Sequence, residues 1–128
     1  MLDGTKAFSG FAVKDLDAAE KFYKETLGLD AENGPMGLQI KIGGGNPIFV
    51  YAKPDHTPAT FTIMNFPVDD IDEAVNELKK KGVVFEKYEG DIQTDENDIA
   101  RGRAAGRGPD IAWFKDPSGN ILSVLQDA

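Results

Sequence analysis

Phe11-Ala12-Val13-Lys14-Asp15-Leu16-Asp17-Ala18-Ala19 returns in altered form as Phe66-Pro67-Val68-Asp69-Asp70-Ile71-Asp72-Glu73-Ala74. The offset is 66 − 11 = 55 residues; five of the nine positions are identical, and Leu16 meets Ile71. Each copy reads as the end of an apolar strand followed by an aspartate that opens a helix. A second offset, 119 − 45 = 74, lays Gly45-Asn46-Pro47-Ile48-Phe49-Val50-Tyr51 on Gly119-Asn120-Ile121-Leu122-Ser123-Val124-Leu125. The second copy is therefore 74 − 55 = 19 residues longer, and the excess falls near Glu89 to Gly108. The chain reads as an internal duplication.

Outward from these anchors, the first copy runs as a strand from Phe8 to Val13 and a helix whose apolar face carries Leu16, Ala19, Phe22, Tyr23 and Leu27. Gly28 stops it. Two or three strands follow, among them Leu38 to Ile42 and Ile48 to Tyr51. The second copy predicts a strand from Phe61 to Val68 and a helix with Ile71, Val75 and Leu78 inward, ended by Gly82. Strands are then expected over Val83 to Tyr88, Ile111 to Phe114 and Ile121 to Leu125. The fold class is α+β, with two tandem β-α-β-β-β modules, about 6–53 and 60–126, whose curved mixed sheets form a cup. Each module's sheet needs a cover for its apolar face, so the two are expected to make a single domain over 1–128.

Composition narrows the chemistry. The chain has 128 residues, with 14 Lys plus Arg against 22 Asp plus Glu, a formal charge of 14 − 22 = −8. That balance argues against nucleic acid and against an anionic membrane surface, both of which are held by cationic side chains. It suits a cationic ligand, and it equally suits plain solubility. There is no cysteine, so disulfides, thiolate nucleophiles and cysteine-ligated metals are excluded. The single histidine, His56, rules out sites that take two or three histidines from one chain. No run of 18 apolar residues is present, and the first residues lack the apolar core of a secretory signal; a cytoplasmic protein is expected.

The segments Val13 to Tyr23 with Leu27-Gly28-Leu29, Val68 to Ala74, and Phe114-Lys115-Asp116-Pro117-Ser118-Gly119-Asn120 together resemble the vicinal oxygen chelate superfamily. This is the group of glyoxalases, bleomycin-resistance proteins and dioxygenases. The resemblance implies metal ligands on four strands, two per module. The first is a His or Gln five residues before the Val of Val-x-Asp, where this chain has Phe8; its repeat mate is Ile63. The last is a Glu four residues after the turn glycine, where Ser123 stands; its mate is Phe49. Three of these side chains have no donor, so no metal and no cofactor are expected.

If those positions face the cup, Phe8, Phe49 and Ile63 make an apolar floor, and period-2 alternation adds Gly10, Tyr51, Asn65 and Leu125 to the same faces. The alternative is that these aromatics simply fill the core. Trp113, the only tryptophan, either stacks on a ligand or packs between strand and helix; its face is not fixed by the pattern. The candidate ligand-binding set is thus Phe8, Phe49, Tyr51, Ile63, Asn65, Trp113 and Ser123. No catalytic residue is assigned. His56, in Lys53-Pro54-Asp55-His56-Thr57-Pro58, is the candidate for proton transfer if there is any, ahead of Tyr51, Tyr88, Glu89, Asp91 and Asp110. The stretch Asp91 to Pro109, acidic first and then rich in arginine and glycine, reads as a mobile loop: either a lid whose arginine closes on a ligand or a solvated insertion.

These readings favour a metal-independent small-molecule binder of the bleomycin-resistance type that sequesters a cationic or aromatic compound. The alternative is a glyoxalase-like lyase or isomerase using His56 or a carboxylate. A third possibility is a module whose cup is filled by its own side chains and which serves a protein partner. The resemblance also implies a homodimer.

Overall fold

The computed structural model describes residues 1–127, and the chain divides into two compact units, Met1–Pro58 and Ala59–Ala128. The first unit holds β1 (Gly10–Val13), α1 (Leu16–Glu20) prolonged by a π-helical turn (Lys21–Thr26), β2 (Asp30–Asn33), β3 (Leu38–Lys41) and β4 (Ile48–Ala52). Its sheet has the order β1-β4-β3-β2, with β1 parallel to β4 and the other pairs antiparallel. The second unit holds β5 (Thr62–Pro67), α2 (Ile71–Lys80), β6 (Ala100–Arg101), β7 (Asp110–Lys115) and β8 (Ile121–Gln126), in the order β5-β8-β7-β6. The α+β class and the paired open, mixed sheets are those expected.

The duplication is visible atom by atom. Asp15 and Asp70, 55 residues apart, both sit in extended backbone and accept a hydrogen bond three residues on, from Ala18 N–H at 3.2 Å and Glu73 N–H at 3.1 Å. Each cap satisfies a helix N–H that would otherwise lack a partner, worth about 1 kcal/mol. In the parallel pairs, Gly10 faces Phe49 and Asn65 faces Ser123. Since 65 − 10 = 55 and 123 − 49 = 74, the two sheets share one register.

Each sheet buries the row that alternation assigns to the core. In the first unit, Val13, Leu38, Ile40 and Val50 are fully buried, together with Tyr23 from the π-helical turn. The Tyr23 ring lies 5.7 Å from Phe11 and 5.2 Å from Phe22. Gly28, at φ +72°, takes the left-handed turn that lets Leu29 N–H reach back to the Tyr23 carbonyl at 3.0 Å. In the second unit, Ala112, Phe114 and Leu122 are fully buried, with Ile71 and Val75 from α2. Lys79 and Lys80 end α2, where cations suit the helix dipole. No helix among the described residues is long and apolar enough to cross a membrane.

Two expectations are corrected. The first strand begins at Gly10, leaving Phe8 outside it and 66% exposed. The strand expected over Val83 to Tyr88 does not form. Val83 and Phe85 are buried, which produced the alternating pattern, but only Phe85 bridges β7, opposite Phe114. The outer edge of β7 is divided: its end takes Phe85 and the Glu86 N–H, which donates to the Trp113 carbonyl at 2.8 Å, while its start takes β6. The fourth strand therefore comes from inside the insertion.

Candidate functional site

Residues opposite one another on neighbouring strands share a sheet face. In β4, Ile48 and Val50 are buried and Phe49 and Tyr51 point the other way, their rings stacked at 5.8 Å and 19°. In the second sheet, Trp113 lies opposite Ser123, which lies opposite Asn65, so the three form one row on the face away from buried Ala112 and Phe114. The face used by Trp113, open in the sequence, is thereby fixed. Ile63 sits at a bulge where the β5 register shifts between Thr62 and Met64. Of the candidate set, the structure brings Phe49 to Tyr51, and Asn65 to Ser123 and Trp113; Phe8 stands apart from its strand.

The four positions where family members hold a metal do not fit one. Phe8, Phe49 and Ile63 carry no donor atom. The Ser123 hydroxyl is fully buried and donates to Asn65 Oδ1 at 2.5 Å. Among the described residues, no group of three or more His, Asp or Glu side chains is placed to hold a metal ion.

Two cavities of the second unit meet at Trp113. One, of about 740 Å³, is lined by Ile92, Ile99, Ile111 and Trp113, with Asp91 and Arg107 at its walls. The other, of about 640 Å³, is lined by Phe61, Tyr88, Glu89 and Ile121, and shares Asp91, Ile92 and Trp113 with the first. Tyr88 meets Trp113 edge to face at 5.3 Å. Burial pushes the Tyr88 phenol above its ordinary value, and the Glu86 carboxylate adds to this against Lys115, so the phenol keeps its proton at neutral pH. A roomy, largely apolar space with a few polar groups is the usual make-up of a small-molecule site.

The insertion is anchored in its first half, contrary to the mobile loop expected. Ile99 is fully buried. Arg101 donates twice to Asp72 on α2, at 2.7 and 3.0 Å, and once to Asp95 at 2.8 Å. Asp95 also accepts from the Asn97 and Ile99 N–H groups. Asp98, 4% exposed and at φ +65°, lies between Lys87 and Lys79. Asp110 is buried and accepts from Arg103 N–H at 3.0 Å, which makes it a structural carboxylate.

These ion pairs set a pH dependence. The hydrogen bonds from Arg101 hold the Asp72 carboxyl below its usual range. For Asp95 and Asp98, burial pushes upward but is outweighed, by Arg101 and backbone N–H groups in the first case and by Lys87 and Lys79 in the second. A carboxyl whose folded pKa lies below its unfolded value stabilises the fold above the unfolded value, about 3.9, and ceases to as pH falls through the folded one. Melting temperature is therefore expected to stay level from pH 7 to about 5 and to drop below about 4. Exposure of Asp72 and Asp95 limits their share of the loss to about 1–2 kcal/mol, and Arg101→Met should flatten that share of the acid limb in melts taken across pH, leaving the Asp98 share.

His56 Nε2 is buried with no hydrogen-bond partner, while its backbone N–H donates to Lys53 O at 3.0 Å. His56 lines neither cavity. Sequence reasoning missed Phe61, Ile92, Ile99 and Ile111 as cavity walls. Ile111 was legible from Trp113, two residues on and hence on the same face.

The family model of the Glyoxalase/Bleomycin resistance protein/Dioxygenase superfamily matches residues 7–124. No curated protein matches the chain. Among solved structures, a glyoxalase family protein from Bacillus anthracis superposes with a TM-score of 0.65 at 21% identity, covering 100% of both chains. TnmS3, an antibiotic binding protein from Streptomyces sp. CB03234, has a TM-score of 0.65 at 22% identity, covering 99% of this chain and 100% of its own. The virulence protein STM3117 from Salmonella typhimurium has a TM-score of 0.66 at 20% identity, covering 100% of both. At these identities the likeness is one of fold.

Proposed function

The chain belongs to the glyoxalase/bleomycin resistance protein/dioxygenase superfamily, and from that premise we propose that it is a metal-independent small-molecule-binding protein that sequesters an aromatic compound bearing a cationic group. The observation that carries this reading is the wall around Trp113: an indole, Ile111 and Ile92 border a space of about 740 Å³, with Asp91 beside them. A flat ring gains dispersion and stacking against the indole, and a cation gains the ring's quadrupole and the carboxylate. The absence of donors at Phe8, Phe49 and Ile63 supports the metal-free part. TnmS3, an antibiotic binder of the same fold, supports sequestration as the use. We propose a homodimer, after the family's habit, and a cytoplasmic location as the default for this composition.

The test is a thermal-shift series with planar aromatic cations such as aminoacridines, run beside Ni²⁺, Zn²⁺, Mn²⁺ and Fe²⁺. A ligand at a hundredfold excess over its Kd stabilises by about 2.7 kcal/mol. The compounds should raise the melting temperature and the metals should not. Trp113→Ala should weaken compound binding about thirtyfold, or about 2 kcal/mol. Stoichiometric metal in the purified protein would overturn the reading.

A second reading, a glyoxalase-like lyase or isomerase, has one observation in its favour: the buried, partnerless Nε2 of His56. Turnover that His56→Ala abolishes, with the melting temperature kept, would put that reading first.

A further inference from the structure

Four charged side chains line the larger cavity: Asp91, Asp95, Arg101 and Arg107. Two of them are already committed, since Arg101 binds Asp95 at 2.8 Å and Asp72 at 2.7 Å. The other two have no ion pair within 4.0 Å among the described residues, either with a third group or with each other. They stand on different pieces of chain. Asp91 belongs to the segment that follows Tyr88 and borders both cavities, whereas Arg107 borders only the larger one. Arg107 is carried on a turn closed by its own N–H, which donates to Gly102 O at 2.8 Å.

We propose that this cavity selects a zwitterionic aromatic guest, its cationic group at Asp91 and its anionic group at Arg107, with the ring against Trp113 between them. The proposal rests on the small-molecule reading above and adds the second charge. An unpaired carboxylate and an unpaired guanidinium that face one space without meeting are complementary to a ligand carrying both signs apart. At the Asp91 end the cation also gains the quadrupole of the Trp113 ring, which lines the same cavity. At the Arg107 end the planar fork suits a carboxylate or sulfonate, which it binds through two parallel hydrogen bonds. The net charge of −8 disfavours a simple anion at long range but leaves a net-neutral guest unaffected. Within the Debye length of about 8 Å at physiological salt, the two local charges decide.

The experiment uses the whole chain and a matched set of probes in titration calorimetry. The probes are a biphenyl with an aminomethyl group at one end and a carboxylate at the other, then biphenyls with only the amine, only the carboxylate, or neither. The zwitterion should bind about tenfold or more tightly than either singly charged probe. Arg107→Gln should erase its advantage over the amine, and Asp91→Asn its advantage over the carboxylate. Both side chains are exposed and unpaired, so both variants should melt with the parent chain. A zwitterion that binds no better than the singly charged probes overturns the proposal. If Trp113→Ala still removes that binding, the small-molecule reading stands without it. If no probe binds the parent chain, both fall together.

Discussion

Phe114→Ala is expected to destabilise the second unit by about 4 kcal/mol, the upper part of the range for deleting a buried aromatic ring. Phe114 has no exposed surface and sits near the end of β7, where Leu122 on β8 lies opposite on one side and Phe85 on the other. Its ring meets Phe85 edge to face at 5.4 Å and 63°, a contact worth a further fraction of a kcal/mol. Truncation removes the transfer free energy of the ring and leaves a void whose walls belong to two strands and cannot easily close over it. Against a typical total stability of about 5–15 kcal/mol, the loss is a large share. Urea denaturation, read at the midpoint with the slope unchanged, measures it. A loss under about 1 kcal/mol would show that the Phe85–Phe114 pair is not a packing centre. The neighbouring Trp113, half-buried on the opposite face, should behave in the reverse way, costing ligand affinity more than stability.

Gly102→Ala is expected to damage the site more than the fold. A Cβ on Gly102 would stand 2.4 Å from the Pro109 carbonyl oxygen and 3.1 Å from that of Gly108, both backbone atoms that cannot rotate aside. The methyl group therefore has to push the Gly102–Pro109 turn off its seat. Such overpacking costs about 1–3 kcal/mol. The same turn carries Arg107 on a hydrogen bond to the Gly102 carbonyl, and Gly102 and Pro109 both line the larger cavity. Ligand affinity should fall at least tenfold, while the acid limb set by Arg101, Asp72 and Asp95 is retained. Calorimetry on the variant beside its pH-dependent melts separates the two effects. Unchanged affinity would remove the turn from the site.

The parts of the structure that were legible in the sequence are those in which neighbours in the chain decide the outcome. Asp15 and Asp70 cap helices because an aspartate before an apolar periodic run has a helix N–H within reach. The paired rows Gly10–Phe49 and Asn65–Ser123 followed from two offsets, since equal patterns with equal turns give equal registers. The insertion was not legible, because its order comes from contacts distant in sequence. A stretch with Asp95, Glu96, Asp98, Arg101 and Arg103 reads as solvated, yet one buried Ile99 and a guanidinium bound to Asp72, 29 positions earlier, hold it on α2. Val83 and Phe85 misled for the opposite reason: burial alternates there, but a strand also needs a free edge, and β6 takes part of the one β7 offers. The Trp113 face became decidable only once Ser123 was seen opposite it.

That position gives the molecule an optical property. The chain has one indole, and it stands where the two cavities meet. All the tryptophan emission of the protein thus originates at the proposed site, with no second fluorophore of that kind to dilute it. A guest that displaces water from the ring shifts the band toward the blue, and one that accepts its excitation quenches the whole signal. Occupancy can therefore be read in the unlabelled protein, and in crude mixtures of compounds, before any ligand has been identified.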